Sequence, residues 1–214
     1  MMSPWPKVLL ALAVFSVQYL NAASDDDEPD IRQMDPYAIM EPLLWMLGQW
    51  ETTDARGGYP TIPRPFPFND KLIFYEIGQP VFHVSFASDM FGIPRHRENG
   101  FIRFKPFTNH IAYIAAHNLG LAEWAEGEFN ETSVHLESQT IGVITFTSFV
   151  HTQKIIRDFV RTGEDTMELK TYMETENTPL DLHLQMKYTK TKTQEELRSA
   201  GEIPPMPVFD LPPK

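Results

Sequence analysis

The stretches KIIRDFV (residues 154–160), MELKTYM (167–173) and LHLQMKY (182–188) decide the fold class. In each of them apolar and polar side chains largely alternate, which is typical of a β-strand with one face in a core and the other in water. The segments between them contain glycine, proline, asparagine and aspartate, which favour tight turns. Three such strands joined by short turns predict an antiparallel meander.

Similar runs continue towards the N-terminus at intervals of about ten residues. They are residues 71–76, 81–86, 100–104, 111–115, 120–125, 134–138 and 142–146. Ahead of them, apolar residues at helical spacing from Ile39 to Leu47 predict a short helix that stops at Gly48. Closure into a barrel removes both edges of such a sheet, and a barrel of roughly eight strands or more can hold one small ligand. The pattern therefore predicts an all-β barrel and leaves binding of an apolar ligand as an open interpretation.

Composition excludes several classes of function. The 214 residues carry a formal net charge of -11, which argues against nucleic acid or an anionic membrane as a partner. The sequence has no cysteine, so disulfides, thiolate zinc sites and iron–sulfur clusters are excluded, and a metal must be held by His, Met, Tyr or carboxylate. No nucleophile elbow, P-loop or dinucleotide-binding fingerprint is present.

The N-terminus is typical of a secretory signal. Lys7 precedes a short apolar run, and small residues at Ala22 and Ala23 form a plausible cleavage site. The run is about half the length of a membrane span, so we predict no such span. Residues 1–23 are therefore predicted to be a signal peptide of a secreted protein, in which Asn130 of Asn-Glu-Thr is a glycosylation acceptor.

Composition also sets the other domain boundaries. Residues 24–35 are expected to form a solvated acidic leader. Residues 191–214 are rich in proline, which predicts a flexible or extended tail. Residues 36–190 then make up one folded domain.

One segment near the start of this domain resembles the nitrobindin family. It is LWMLGQWETTDARGGYPTI (residues 44–62), and the likeness continues through GQP (78–80), PRHRENGFIR (94–103) and LDLHL (180–184). The resemblance covers about residues 38–190 and is strongest to the nitrobindin domain that animals carry behind a zinc-finger module. It implies a ten-stranded antiparallel β-barrel, similar to lipocalins and fatty-acid-binding proteins, with a short N-terminal helix. It also implies ferric haem b held by one histidine, binding of nitric oxide and isomerisation of peroxynitrite to nitrate.

The resemblance implies the residues of the site. His183 matches the iron ligand, which is also the catalytic position, and Thr61, Met173 and His96 match residues that line the haem pocket. Strand alternation leaves a different interpretation of His183 open, because it shares a parity with Asp181 and would then lie on the wet face.

The position of His96 has two interpretations as well. Its neighbours Arg95 and Arg97 offer cations for haem propionates, but the same triplet is also typical of a charged loop in water. His117 and the other histidines sit singly in strands or turns and are interpreted as structural.

The sequence thus favours a secreted haem barrel that acts as a peroxynitrite isomerase. Two alternatives stay open: a secreted carrier of a small apolar, lipid-like ligand that uses the same cavity without haem, and a haem-free structural protein that keeps only the fold.

Overall fold

The computed structural model describes residues 38–58, 66–146 and 151–206. In the described part of the chain the first element is a 3₁₀ helix, Ala38–Met46, which confirms the short N-terminal helix, and the last is the α-helix α1, Gln194–Ser199. Between them lie the strands β1 (Gly48–Gly57), β2 (Phe66–Pro67), β3 (Asn69–Glu76), β4 (Val81–Met90), β5 (Ile93–Phe104), β6 (His110–His117), β7 (Leu121–Phe129), β8 (Ser133–Val143), β9 (Thr152–Arg161), β10 (Thr166–Thr175) and β11 (Thr178–Lys192).

The strands close into a barrel. From β3 to β11 each strand pairs with the next, β3 also pairs with β1, and β11 returns to pair with β1 in antiparallel register. The two-residue strand β2 adds to β1 at Arg56 and Gly57 and stands outside this ring. The result is a closed ten-stranded antiparallel β-barrel, as predicted, and closure leaves neither β1 nor β11 as an exposed edge.

The 3₁₀ helix covers one end of the barrel, which we call the helix end. Its side chains Met40, Leu43 and Met46 are fully buried. Trp50 at the start of β1 donates from its indole Nε1 to the carbonyl of Met46 at 2.7 Å. The ammonium of Lys190 on β11 donates to the carbonyl of Trp45 in the helix at 2.8 Å, so apolar contacts and hydrogen bonds fasten the helix to the strands below it.

Gly48 is required where β1 leaves this helix. Its φ of +119° lies in a region that other residues adopt only with strain, and an added Cβ would lie 2.4 Å from the carbonyl oxygen of Lys192. The close approach lets the first and last strands of the barrel meet at the helix end.

Residues 191–206 differ from the flexible or extended tail expected from residue 191 onward. β11 runs to Lys192, and Thr193 caps α1 in a capping box with Glu196. Leu197 and Ile203 are buried, so the segment has enough apolar surface to order it in spite of the prolines that follow the helix. Residues 207–214 lie outside the described residues.

Three sequence predictions fall on residues that the structure does not describe. The signal peptide and the acidic leader lie within residues 1–37, and Thr61 lies within 59–65. Within the described part of the chain, neither helix is long and apolar enough to cross a membrane.

Candidate functional site

The turns between β4 and β5, β6 and β7, and β10 and β11 all lie at the barrel end opposite the 3₁₀ helix, because successive antiparallel strands alternate in direction. We call this the site end. His96, His117, Met173 and His183 lie on the strands that flank these turns. The barrel therefore brings together three of the four residues predicted for the site, with Thr61 outside the described residues.

A β-bulge positions His183. Leu184 lies opposite Thr171 of β10, whereas Leu182 lies opposite Tyr172, so His183 is an extra residue on β11. A bulge interrupts the strict alternation of side chains and redirects the residues within it. His183 is accordingly half-buried next to Leu184, which packs against the core, although simple alternation would have placed it in water.

Two hydrogen bonds fix His183 against β1. The amide of Gly58 donates to the carbonyl of His183 at 2.9 Å, and the Nδ1 atom of His183 lies 3.0 Å from the carbonyl oxygen of Gly58. A carbonyl can only accept, so Nδ1 carries the proton and the neutral ring has its lone pair on Nε2. Burial lowers the pKa of His183, with partial compensation from the bond to Gly58, and this keeps the ring neutral at pH 7.

Met173 lies on the inward face of β10. It has the same parity as the buried residues Thr171 and Thr175 and is itself half-buried. Its sulfur atom lies 3.7 Å from the hydroxyl oxygen of Thr152. A thioether in this position provides a soft, apolar wall near the site end of the barrel.

His96 faces the barrel interior, so the charged-loop interpretation is wrong. Arg95 is an extra residue in the pairing of β5 with β4, and beyond it His96 shares the inward parity of the buried Glu98. Arg95 and Arg97 are exposed, and the guanidinium of Arg97 donates to the carbonyls of Ser88 and His96. Burial lowers the pKa of His96 to about 4, so the ring is neutral at pH 7.

A buried cluster of charged residues lies next to His96. We use the term ionic cluster for Glu98, Tyr113, His117, Glu123 and Arg157. Arg157 donates to Glu123 and to both carboxylate oxygens of Glu98, at 3.0 and 3.2 Å, and the hydroxyl of Tyr113 also donates to Glu98. Each partner of these contacts is almost fully inaccessible to water, so the two carboxylates and the guanidinium compensate one another's burial.

His117 links the ionic cluster to His96. Its Nδ1 lies 3.0 Å from Nε2 of His96, and its Nε2 lies 3.4 Å from a carboxylate oxygen of Glu123. The sequence predicts a turn and a structural role for His117, whereas the structure places it as the last residue of β6. The sequence offered one indication, because His117 alternates in step with Tyr113 and Ala115. Ile114 and Ala116 make the other face of β6 equally apolar, so periodicity could not show which face points into the barrel.

Comparison with known proteins identifies the family. Residues 39–190 match the model of the THAP4-like, heme-binding β-barrel domain. The chain belongs to this haem-binding β-barrel family. Within it, the chain is 37% identical over 155 residues to the human protein named peroxynitrite isomerase THAP4, a match that covers 71% of this chain and 27% of that relative. The chain thus spans about a quarter of the length of the THAP4 relatives that it matches.

Two bacterial proteins extend the comparison. A peroxynitrite isomerase of Nocardia farcinica is 29% identical over 170 residues, covering 76% of this chain and 95% of the relative. The crystal structure of Rv2717c from M. tuberculosis superimposes with a TM-score of 0.64 at 23% identity, over 73% of this chain and 99% of that one. At this identity the likeness shows the shared barrel fold.

The residues at the site end fit the haem that the family name implies. Haem iron accepts an imidazole nitrogen as its axial ligand, and His183 offers a neutral ring whose lone pair is on Nε2. Histidines that bind metals usually donate their other ring N–H to a carbonyl or a carboxylate, as His183 does to Gly58. The half-buried Met173 and His96 add uncharged walls to the same end of the barrel.

Proposed function

We propose that this chain binds ferric haem b through Nε2 of His183, binds nitric oxide and isomerises peroxynitrite to nitrate. The observation that carries the proposal is the bulged His183, whose Nδ1–H is held by the carbonyl of Gly58. The family and the names of its human and bacterial relatives support it.

The isomerisation of peroxynitrite to nitrate requires no second substrate. Peroxynitrite and nitrate contain the same atoms and carry the same charge, so the conversion needs no net proton, electron or water. When bound, the haem would supply an iron centre for the rearrangement chemistry of the peroxo bond. The contribution of the chain is to hold this group in one orientation and to limit access of bulk water.

The named side chains would perform these tasks. His183 is fixed in position by its two bonds to Gly58, so the direction of its Nε2 lone pair is set before a cofactor arrives. His96 is neutral at pH 7 because of its lowered pKa, and Met173 has no titratable group. Neither side chain would protonate an anionic reactant, which favours rearrangement over acid-assisted decomposition.

The test is reconstitution of the full chain with ferric haem. We expect the wild type to give a Soret band of a histidine-ligated ferric haem, to bind nitric oxide, and to accelerate peroxynitrite decay with nitrate as the product in stopped-flow measurements. His183→Ala should lose the axial bond and shift the Soret band while retaining the circular dichroism of the barrel, because strand pairing uses backbone groups. His135→Ala is the matched control, since this histidine lies on the exposed side of β8 in a hydrogen bond with Asp158.

Two outcomes would contradict the proposal. An unchanged Soret band in His183→Ala would show that a different residue binds the iron. Failure of the wild type to bind haem, together with an apolar molecule found by mass spectrometry in protein from the native host, would favour the ligand carrier instead.

A further inference from the structure

Three potential metal ligands converge inside the barrel near its site end. His96 and Glu98 are two residues apart on β5 and face the same way, and His117 lies directly opposite Glu98 on β6. The Nε2 atom of His96 lies 3.0 Å from Nδ1 of His117. The Oε2 atom of Glu98 lies 3.6 Å from the former nitrogen and 3.4 Å from the latter.

These distances match the spacing of ligands around a small metal ion. Ligands at about 2.0–2.1 Å from a tetrahedral metal are separated from one another by about 3.3 Å. The three donor atoms of His96, Glu98 and His117 are 3.0 to 3.6 Å apart, so they form a triangle close to one face of such a tetrahedron. A fourth position is left for water or another small ligand.

The surroundings favour a lone pair on His117 that faces the triangle. A carboxylate oxygen of Glu123 lies 3.4 Å from Nε2 of His117 without forming a hydrogen bond, and its charge favours the tautomer with the proton on that nitrogen. Nδ1 of His117 then accepts the hydrogen bond from Nε2 of His96, and a metal ion would displace that proton from His96. Tyr113 and Arg157 hold the other oxygen of Glu98. Arg157 also donates to Oε2 at 3.2 Å, and this oxygen has a second lone pair for a metal.

Charge and burial favour a cation at this place. The carboxylates of Glu98 and Glu123 exceed the guanidinium of Arg157 by one negative charge, and burial keeps His96 neutral by lowering its pKa to about 4. The side chains of Glu98 and His117 are 2% and 7% exposed, whereas that of His96 is 28% exposed. The triangle is therefore closed on the side of the ionic cluster and accessible past His96.

We propose that His96, Glu98 and His117 form a non-haem metal site for a divalent first-row transition ion such as Zn²⁺ or Fe²⁺. Two imidazoles and one carboxylate suit these ions, while Mg²⁺ and Ca²⁺ prefer sites made only of oxygen. The site uses none of the atoms that hold His183 to Gly58, and it shares only His96 with the residues proposed to line the haem pocket.

The test is metal binding by the haem-free full chain after treatment with a chelator. We expect one equivalent of Zn²⁺ by calorimetry, and visible d–d absorption bands of low-coordinate Co²⁺ when that ion is used as a probe. His96→Ala should abolish these bands, and Glu123→Gln should weaken Zn²⁺ binding by roughly 10- to 100-fold, as is usual when a residue that orients a metal-bound histidine is lost. His183→Ala and His135→Ala should bind as the wild type does.

The comparison among variants decides the assignment. His117→Gln provides a second ligand deletion if His96→Ala does not fold, as judged by circular dichroism. Wild-type protein without Co²⁺ bands, or bands of equal intensity in His96→Ala or His117→Gln, would overturn the proposal. Loss of the bands in His183→Ala alone would overturn it too and would place the metal at the haem ligand.

Discussion

His183 and Gly58 hold each other through two reciprocal hydrogen bonds, one from the amide of Gly58 and one from the imidazole of His183. The pair joins the end of the first barrel strand to the start of the last one. Because both carbonyls accept, the donor nitrogen of the ring is fixed, and so is the nitrogen that carries the lone pair.

We expect nitrogen NMR of the haem-free protein to show His183 as the neutral tautomer with its proton on Nδ1 at pH 7. Burial lowers the pKa of His183, so the ring should stay neutral until the pH falls below the ordinary value of 6.5. A lowered pKa in the folded state means that protonation favours unfolding, and this contribution to stability is lost as the pH falls. A proton found on Nε2 at pH 7 would contradict the assignment.

Replacement of Arg157 should strongly destabilise the barrel. In Arg157→Met the carboxylates of Glu98 and Glu123 lose their shared buried cation, and breaking a buried pair in this way costs about 3–5 kcal/mol. The two carboxylates then gain from protonation, so the deficit measured by urea unfolding should shrink as the pH is lowered from 8 to 5. Arg103→Met is the control at an exposed position of β5, where a change below about 0.5 kcal/mol is expected. Equal effects of the two substitutions would contradict the role of the ionic cluster.

Asp70 should make the protein less stable as the pH rises, which is opposite to the effect expected of His183. Burial raises the pKa of Asp70 to about 6 from 3.8, although Ser88 and Tyr188 donate to its carboxylate. The folded state then binds the proton more tightly, so this stabilisation is complete below about pH 4 and is lost as the pH rises through about 6.

The difference between wild type and Asp70→Asn isolates this effect. A rise in pKa of this size corresponds to on the order of 3 kcal/mol. Unfolding free energies measured from pH 4 to 8 should therefore converge or cross, with the wild type losing stability relative to the variant as the pH increases. Asp54→Asn removes one exposed charge as the control. Parallel profiles for wild type and Asp70→Asn would show that Asp70 titrates alike in the folded and unfolded states.

The segment after β11 should contribute to stability. Leu197 of α1 is fully buried, so Leu197→Ala should cost about 2–5 kcal/mol and lower the thermal midpoint by several degrees. Leu180→Ala, at a position that is 41% exposed, should change the midpoint little. Equal midpoints for the two variants in calorimetry would mean that α1 does not pack on the barrel in solution.

Export of the chain is a separate expectation based on Lys7, the apolar run after it and Ala22-Ala23. Protein purified from the native host should begin within a few residues of Ser24 on N-terminal sequencing. Intracellular protein that retains Met1 would contradict it.

The sequence predicted the barrel because alternation is a local property, and strands such as LHLQMKY (182–188) show it clearly. It did not predict the β-bulge that turns the side chain of His183 away from solvent. A bulge is defined by the pairing with the neighbouring strand, so the sequence of one strand does not reveal it. His117 was missed for a similar reason: its importance comes from Glu98 opposite it and from His96 and Glu123 nearby, which only the folded sheet brings together. The sequence also did not predict that residues 191–206 are ordered. Their proline content indicates an extended tail, and composition does not reveal that Leu197 and Ile203 are buried.

Closure of the ring between β1 and β11 has a consequence for how the protein is made. Gln49 and Thr191, which contact each other across this seam, are 142 residues apart in the sequence. Pairings of such long range are slow to form, and until then both terminal strands present open edges that invite aggregation. On the ribosome the seam cannot form before the last strand has emerged, so His183 and Gly58 meet only at the end of synthesis. The proposed binding of haem through His183 would therefore follow translation and require a completed barrel.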